Sequence, residues 1–389
     1  MAKVKWIVAL NGSVFLLMFG VGMIVALLPQ KVLTISGSVT LVGGLASAFA
    51  VSYILAQIPL GKLADRFGTQ WFLTAGYFIC AIVGLVYYQA ETAAAMMIGR
   101  MIQGLGEAPL WALAPALLSV LYPSNKARAM GWYNASIHLG LTAGSLAGVL
   151  VSAVWTGSEP FLLFAGVSAM GGIWTLLALR DTGGAVSGAG PGGASADIGR
   201  LLKNRTVLFV CAGIMLYGLG YGIFLTVIPA FLLMHKGAGA SAVGLSFVVF
   251  YVAISLAQII AGPIADRAGR VMPMISGLAV MAFGMMVFPC LPLVYALAAL
   301  FLAAFGLGVF LVASLAFLND QVDVHLRGTI SGAYYLFWGV GYFFGPMVMG
   351  IIGDAGHDKM GFLVLGVLYA VIAGMLGLAN RRTSAAKSF

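Results

Sequence analysis

The chain has 389 residues, of which 62% are hydrophobic and 8% are charged, and its net charge is +9. Soluble domains carry about 25% charged residues, so this composition excludes a soluble enzyme, a secreted binding module and a disordered protein. The basic residues lie singly or in pairs between apolar runs, which does not form the clustered basic face that nucleic-acid binding needs. The composition therefore predicts an integral membrane protein.

Twelve apolar stretches are long enough to cross a bilayer, since a span needs about 20 residues. In chain order they lie at 6–29, 40–61, 71–89, 93–121, 130–155, 160–180, 206–233, 241–262, 272–291, 293–317, 328–352 and 360–380. The first stretch has no small-residue cleavage site, so we expect a retained helix and not a signal peptide. The expected fold class is an all-α membrane protein with twelve transmembrane helices.

The distribution of basic residues predicts the orientation of these spans. If the N-terminus is cytoplasmic, 16 of the 20 Lys and Arg residues fall on the cytoplasmic side. Only Lys31, Lys236 and Lys359 fall outside, and Arg100 lies within a span. This asymmetry follows the positive-inside rule and predicts that both termini are cytoplasmic.

A segment rich in Gly, Ala and Ser separates the sixth and seventh spans. Its composition is typical of a flexible linker, and it ends in a short amphipathic stretch suited to a membrane surface. We therefore predict an N-terminal six-helix half at 1–180, a cytoplasmic linker at 181–205 and a C-terminal six-helix half at 206–389.

The two halves are related by an internal repeat. The sequence LAQIPLGKLADRFG at 55–68 matches LAQIIAGPIADRAG at 256–269, an offset of 201 residues. Two further sets recur at offsets of 200 and 201: Gly20, Gly22 and Pro29 as Gly220, Gly222 and Pro229, and Gly131, Gly140 and Gly144 as Gly332, Gly341 and Gly345. Registers that agree within one residue predict two halves with parallel orientation in the membrane.

The loop after the second span, GKLADRFG at 61–68, resembles the signature loop of the major facilitator superfamily. The twelve spans, the duplication and the central linker agree with that family along the whole chain. GRMIQGLG at 99–106 resembles the fourth-span motif associated with proton coupling, and the glycines of the fifth span resemble the antiporter motif of twelve-span drug/proton exporters. Ser145 and Val149 depart from this motif, which has proline and glycine there, whereas the eleventh span keeps Gly345-Pro346.

By this resemblance, the repeated loops form a conformational latch that joins the halves when the central cavity opens outward. The carboxylate of Asp65 would lie near the N-terminus of a nearby helix, whose dipole stabilises negative charge. Asp266 would take the equivalent position in the second half. The latch residues are Gly61, Asp65, Arg66, Gly68, Asp266 and Arg267. The alternative is that these charges only fix the topology.

The repeated glycines predict close helix packing, because small residues let membrane helices approach each other. We expect them to join the two halves on their outer side, and the alternative is ordinary helix packing. The residues are Gly131, Gly140, Gly144, Gly148, Gly341, Gly345 and Pro346.

The fourth span carries two charged residues on one helical face, Arg100 and Glu107. A charge at the bilayer centre costs at least about 2.5–3.5 kcal/mol, so this face must look into protein or water. We identify Glu107 as the proton-binding carboxylate and Arg100 as its modulator. The alternative is a structural ion pair, although roughly 10 Å of axial separation argues against direct contact.

His138 in the fifth span is a second candidate for proton binding. Its alternative is a neutral side chain bonded to Asn134 or to a backbone carbonyl.

Polar and aromatic residues of the spans are candidates for a central substrate cavity, which the first, fourth, seventh and tenth spans line in this superfamily. They are Asn11, Gln103, Trp111, Asn134, Tyr217, Tyr221, Gln258, Tyr334, Tyr335 and Trp338. Such a mixture suits an amphipathic organic compound, while the alternative is packing or an interfacial aromatic belt. The first span has no acidic residue, so a preference for cations is not indicated.

The predicted function is proton-coupled efflux of a small amphipathic organic compound by alternating access. We expect a monomer in the plasma membrane, the inner membrane of a bacterium, driven by the proton gradient without a metal or an organic cofactor. The alternatives are an importer or uniporter of a small solute, such as an anion held by Arg100, and a non-transporting sensor or partner protein. The spans carry no nucleophile–base set and no metal-ligand spacing, so an enzyme is not expected.

Overall fold

Long helices connected by short turns make up the described chain, which in this computed structural model comprises residues 2–122, 126–154, 157–179, 204–321 and 327–387. The first half contains α1 (Ala2–Val25), α2 (Leu27–Ser36), α3 (Val39–Phe67), α4 (Thr69–Gln89), α5 (Ala93–Leu121), α6 (Lys126–Val154) and α7 (Glu159–Leu179). The second half contains α8 (Arg205–Leu225), α9 (Val227–His235), α10 (Ala240–Ala268), α11 (Val271–Val287), α12 (Leu293–Asp320), α13 (Arg327–Asp354) and α14 (Asp358–Lys387).

Within the described residues, eleven helical segments are long and apolar enough to cross a membrane. The twelfth long helix is α5, whose 29 residues include Arg100 and Glu107. Large apolar side chains such as Leu139, Leu150 and Ile259 are 62%, 64% and 72% exposed, as expected where helices face lipid. The structure thus confirms an all-α membrane protein with twelve spans, each close to its predicted position.

The first and seventh spans are interrupted at equivalent points. α1 ends at Val25 and α8 ends at Leu225, four residues before Pro29 and Pro229. A proline lacks the N–H that would bond to the carbonyl four residues earlier, so the helix breaks there. The helix resumes as α2 and α9, which corrects the predicted ends at residues 29 and 233 to Ser36 and His235.

The structure divides into two compact units, Met1–Gly190 with Ala238–Val248, and Pro191–Gly237 with Val249–Phe389. In the first unit, α1 packs against α6 and α7, and α4 packs against α5 and α7. The second unit repeats this pattern, with α8 against α13 and α14, and α11 against α12 and α14. The predicted linker lies outside the described residues except for Asn204 and Arg205.

Candidate functional site

A chain of hydrogen bonds runs along one face of α5. Arg100 Nη1 donates to Gln103 Oε1 at 3.0 Å, and Gln103 Nε2 donates to Glu107 Oε1 at 2.8 Å. Trp111 Nε1 donates to the second carboxylate oxygen, Oε2, at 3.3 Å. Spacings of three and four residues place these side chains above one another on a helix, so the sequence spacing alone brings the hydrogen-bonding groups together.

The neighbouring helix α4 holds Gln103, the middle residue of this series of hydrogen bonds. Tyr87 O–H donates to Gln103 Oε1 at 2.7 Å, so both lone pairs of the amide oxygen are used. Tyr87 and Gln103 are fully buried, Arg100 is 5% exposed and Glu107 is 4% exposed, whereas Trp111 is half-buried. The charged groups are therefore inside the first unit, with Trp111 as the most accessible member.

Gln103 bridges the two charged residues. Each oxygen of Glu107 accepts its bond from Gln103 or Trp111, and Arg100 reaches the carboxylate only through Gln103. The direct ion pair that was the alternative is not formed among the described contacts. Sequence reasoning placed Gln103 and Trp111 on this face but missed Tyr87, whose only signal was a polar aromatic side chain within an apolar span.

His138 lies apart from this chain in the hydrogen bonds that the structure gives. Its Nδ1 is buried and has no partner in the described part of the protein, and the side chain of Asn134 is exposed. The bond to Asn134 that was considered as an alternative is therefore not made through Nδ1. Asn11 on α1 also has a buried side-chain oxygen, Oδ1, without a described partner.

Aromatic candidates of the second unit form a cluster between α8 and α13. The ring centroid of Trp338 lies 6.4 Å from that of Tyr217, 5.8 Å from that of Tyr221 and 4.8 Å from that of Tyr342. The rings of Trp338 and Tyr342 are stacked. Trp338 Nε1 is buried and has no described hydrogen-bond partner. The cluster thus combines several ring faces with one unused donor.

The other candidates of this unit lie in different settings. Tyr334 is fully buried, and its hydroxyl lies 3.4 Å from Ser314 Oγ. Tyr335 packs against Tyr334 with ring centroids 5.6 Å apart but is 46% exposed, and Gln258 is half-buried. In the described ring contacts and hydrogen bonds, Tyr334 pairs with Tyr335 and with Ser314, and neither tyrosine pairs with Trp338.

The glycines of α6 bring this helix onto α1. A Cβ at Gly140 or Gly148 would lie 2.7 Å from the backbone oxygen of Phe15 or Met23. A Cβ at Gly144 would overlap the carbonyl of Phe19. These positions therefore require glycine for close approach, and the surroundings of Gly131 lie outside the described part of the structure.

The glycines of α13 bring this helix onto α8 in the same way. A Cβ at Gly341 would overlap the carbonyl of Met215, and one at Gly345 would overlap Leu219. Pro346 packs on Gly222, whose Cβ would lie 2.5 Å from the proline ring. The partner expected from the sequence was the opposite half, and the structure corrects this, because the glycine contacts lie within each unit.

Ser145 replaces the proline of the fifth-span motif and makes a different contact with α1. Its hydroxyl donates to the carbonyl of Gly22 at 3.3 Å, and its side chain is buried. Gly22 and Gly222 are repeat positions, so one half joins the two helices through a hydroxyl and the other through Pro346.

The two loops proposed as a latch share one backbone conformation. Gly68 and Gly269 have φ of +93° and +81°, which favours glycine at the tight turn after α3 and after α10. Arg66 and Arg267 are exposed. The side chains of Lys62, Asp65 and Asp266 and the surroundings of Gly61 lie outside the described part of the structure.

Two lysines that the sequence analysis used only for topology hold equivalent turns. Lys31 Nζ donates to the carbonyl of Tyr87 at 2.7 Å and to Ser158 Oγ at 2.8 Å. Lys236 Nζ donates to the carbonyls of Pro289 and Leu291 at 2.8 and 2.7 Å. Each lysine thus ties α2 or α9 to the end of the third span of its own half, where carbonyls lack helical partners.

Burial lowers the pKa of Lys236, and the nearby ammonium of Lys359 lowers this pKa further. The two carbonyls that accept its hydrogen bonds therefore help to hold this side chain in place.

In the part of the chain that the structure describes, no three His, Cys, Asp or Glu residues are grouped as metal ligands.

Twelve membrane spans in two repeated halves, with charged residues buried inside one half, are the architecture of a multi-pass membrane transporter. The chain belongs to the Major Facilitator Superfamily, whose family model matches residues 10–231 and 210–388. Proteins of this family and fold are transporters and not enzymes.

Similar proteins span nearly the whole chain. An uncharacterised MFS-type transporter of Methanocaldococcus jannaschii is 23% identical over 362 residues, covering 88% of this chain and 89% of the relative. The class C tetracycline resistance protein of Escherichia coli is 25% identical over 402 residues, covering 97% and 98%. The crystal structure of a nucleoside transporter superposes with a TM-score of 0.81 at 17% identity, over 97% of this chain and 100% of the other, which establishes the shared fold.

Proposed function

We propose that this protein exports small amphipathic organic compounds in exchange for protons, by alternating access of its two halves. The observation that carries the proposal is the buried carboxylate of Glu107, bonded to Gln103 and Trp111 within a membrane span. An ionisable residue inside a membrane span is energetically costly and usually marks a functional site, and proton relay is one of the functions that such carboxylates serve. Arg100, which is connected to Glu107 through the side-chain amide of Gln103, modulates the charge of this site.

The direction of transport is inferred from two features. The glycine series of α6 matches the spacing of the antiporter motif of drug/proton exporters. The tetracycline resistance protein of Escherichia coli aligns with the chain over almost its full length. Efflux by a monomer in the inner membrane, with both termini cytoplasmic, agrees with these features and with the placement of basic residues.

The proposed class of substrate is inferred from the aromatic cluster of Tyr217, Tyr221 and Trp338. Ring faces together with an unused indole N–H suit a planar compound that carries a hydrogen-bond acceptor. His138 and Asn11, whose buried Nδ1 and Oδ1 atoms have no hydrogen-bond partner among the described residues, are further candidates for polar contacts or a second proton site. The latch formed by Asp65 and Asp266 remains part of the proposal for the conformational cycle.

One observation favours a second function, the import of a small organic anion. Nε of Arg100 is buried and has no described partner, which leaves one guanidinium donor free for an anionic group. This function would use Arg100 as the substrate ligand, whereas efflux uses it as the modulator of Glu107.

Flux in everted membrane vesicles separates these functions. With tetracycline as the first probe in a panel of planar amphipathic compounds, an exporter accumulates at least one probe in energised everted vesicles, and an uncoupler abolishes the accumulation. Accumulation of organic anions only in right-side-out vesicles would identify an importer. A sensor would show no flux of any probe and no effect of Glu107→Gln on any gradient. Thermal stabilisation of the purified protein selects the probes to test.

A further inference from the structure

The donors that face Glu107 can be assigned without ambiguity. Arg100 has donors and no acceptor, so the Gln103 atom that lies 3.0 Å from Arg100 Nη1 must be the amide oxygen. The amide nitrogen of Gln103 therefore faces Glu107 Oε1 at 2.8 Å. The indole nitrogen of Trp111, which only donates, lies 3.3 Å from Oε2.

This arrangement fits the ionised form of Glu107 better than the acid. A carboxylate accepts strongly at both oxygens, whereas the hydroxyl oxygen of a carboxylic acid carries a proton that donates and is a weaker acceptor. A proton on Oε1 would point at the amide of Gln103, whose orientation Tyr87 and Arg100 fix from the other side. A proton on Oε2 would displace only Trp111, which makes the longer bond, is half-buried and has no second polar atom.

We propose that Trp111 couples protonation to conformation: its indole N–H binds Oε2 of ionised Glu107 and is released when that oxygen takes a proton. Gln103 is a positioning residue that keeps Oε1 an acceptor in both states. The proton adds to Oε2, the carboxylate charge is neutralised, and the freed indole donor turns to another acceptor. This inference rests on the proposed function, in which Glu107 binds the proton, and it names the group that responds.

The surroundings of Glu107 leave it as the group that titrates. Among the described residues, the charged or titratable side chains that interact with Glu107 are Arg100 on α5 and Tyr87 and Cys80 on α4. From α3, the neutral Phe49 and Ser52 approach the same face of α5 at Arg100 and Gly104, and from α6 Tyr133 donates to the carbonyl of Leu110. Below about pH 8, arginine stays charged while tyrosine and cysteine keep their protons, so among the groups named here the response comes from Glu107.

Nuclear magnetic resonance of the indole N–H groups tests this release directly. The full-length protein has seven tryptophans, and Trp111→Phe identifies the resonance of Trp111 after ¹⁵N-tryptophan labelling. We expect this resonance to move upfield as the pH falls, because the N–H loses its bond to the carboxylate. In Glu107→Gln it should sit at the low-pH position throughout, since the substituted amide turns its oxygen to Gln103 and its NH₂ to Trp111. The resonance of Trp174, assigned with Trp174→Phe, is the control.

The infrared band of a protonated carboxyl group separates failure of this inference from failure of the proposed function. A band that appears as the pH falls in wild type, and is absent in Glu107→Gln, reports proton binding by Glu107. If the band titrates while the Trp111 resonance stays fixed, the proposed role of Trp111 is wrong and proton binding by Glu107 is retained. If no such band appears, both fail. The wild-type titration needs only Trp111→Phe for assignment, so it is decisive even if Glu107→Gln does not fold.

Transport provides the functional readout. Trp111→Phe should still bind the proton by the infrared criterion, but its gradient-driven flux of the probe that the wild type accumulates should fall by about fivefold or more, the lower range of site–site coupling. Undiminished flux would contradict the coupling role.

Discussion

The side-chain amide of Gln103 donates to Oε1 of Glu107 at 2.8 Å, one helical turn further along α5. This bond connects the two charged residues of the span without bringing them into contact, because Arg100 binds the opposite end of the same amide. A single uncharged side chain thus transmits the effect of Arg100 to the carboxylate, and its orientation depends on Tyr87.

Tyr87→Phe tests the support that α4 gives to this amide. The change removes one buried hydrogen bond, which contributes about 0.5–1.5 kcal/mol, so the melting temperature of the purified protein should fall. Tyr88→Phe is the matched control, because the neighbouring Tyr88 is 42% exposed and should tolerate the change. Equal melting temperatures for the two variants would argue against a structural role of the Tyr87 hydroxyl.

Gly144→Ala tests the close approach of α6 to α1. The added methyl group would meet the backbone carbonyl of Phe19, and overpacking of this kind costs about 1–3 kcal/mol. The yield of folded protein and its melting temperature should both drop. Gly166→Ala in α7 is the control, since a Cβ there meets no atom within 4 Å. A variant at Gly144 that is as stable as the control would mean that the helices do not touch here.

Lys31→Met tests the tie between α2 and the end of α4. Its ammonium makes two hydrogen bonds, and bonds to a charged donor are worth about 1.5–3 kcal/mol each at most, so we expect a clear loss of thermal stability. Lys236→Met should have a similar effect in the second half. Lys5→Met, at an exposed position, should leave the melting curve unchanged.

Asp65→Asn tests the latch that the loop motif implies. In the proposed latch the carboxylate acts in the conformational cycle and not in folding, so transport should fall while the amount of protein in the membrane stays at the wild-type level. Glu91→Gln, which removes an exposed acidic group, is the control. Wild-type flux in Asp65→Asn would leave topology as the only role of this charge.

The span positions could be predicted because membrane thickness sets helix length and charges mark the ends. Pro29 and Pro229 show the limit of this reasoning, since each ends a run of hydrogen bonds but not the span. A proline removes the bond to one carbonyl, and the helix can restart immediately afterwards. Periodicity alone does not distinguish a break of this kind from the end of a helix.

The candidate site could be predicted only along one helix. Helical spacing placed Arg100, Gln103, Glu107 and Trp111 on one face, and the structure brings them into one chain of bonds. Tyr87 could not be placed there, because its position depends on how closely α4 packs on α5. That approach depends on Gly76, where a Cβ would overlap the carbonyl of Gly106. Contacts between helices require such packing information, and the glycine partners of α6 and α13 were misassigned for the same reason.

The central claim is that Glu107 binds the coupling proton, and comparing two transport modes in Glu107→Gln tests it most directly. Reconstituted vesicles measure counterflow, without a gradient, of a probe that the wild type accumulates in everted vesicles, and accumulation of the same probe driven by an imposed pH gradient. The account predicts that the variant keeps counterflow at the wild-type rate, because exchange needs no net proton transfer, and loses gradient-driven accumulation. Accumulation at the wild-type level in Glu107→Gln would contradict the account.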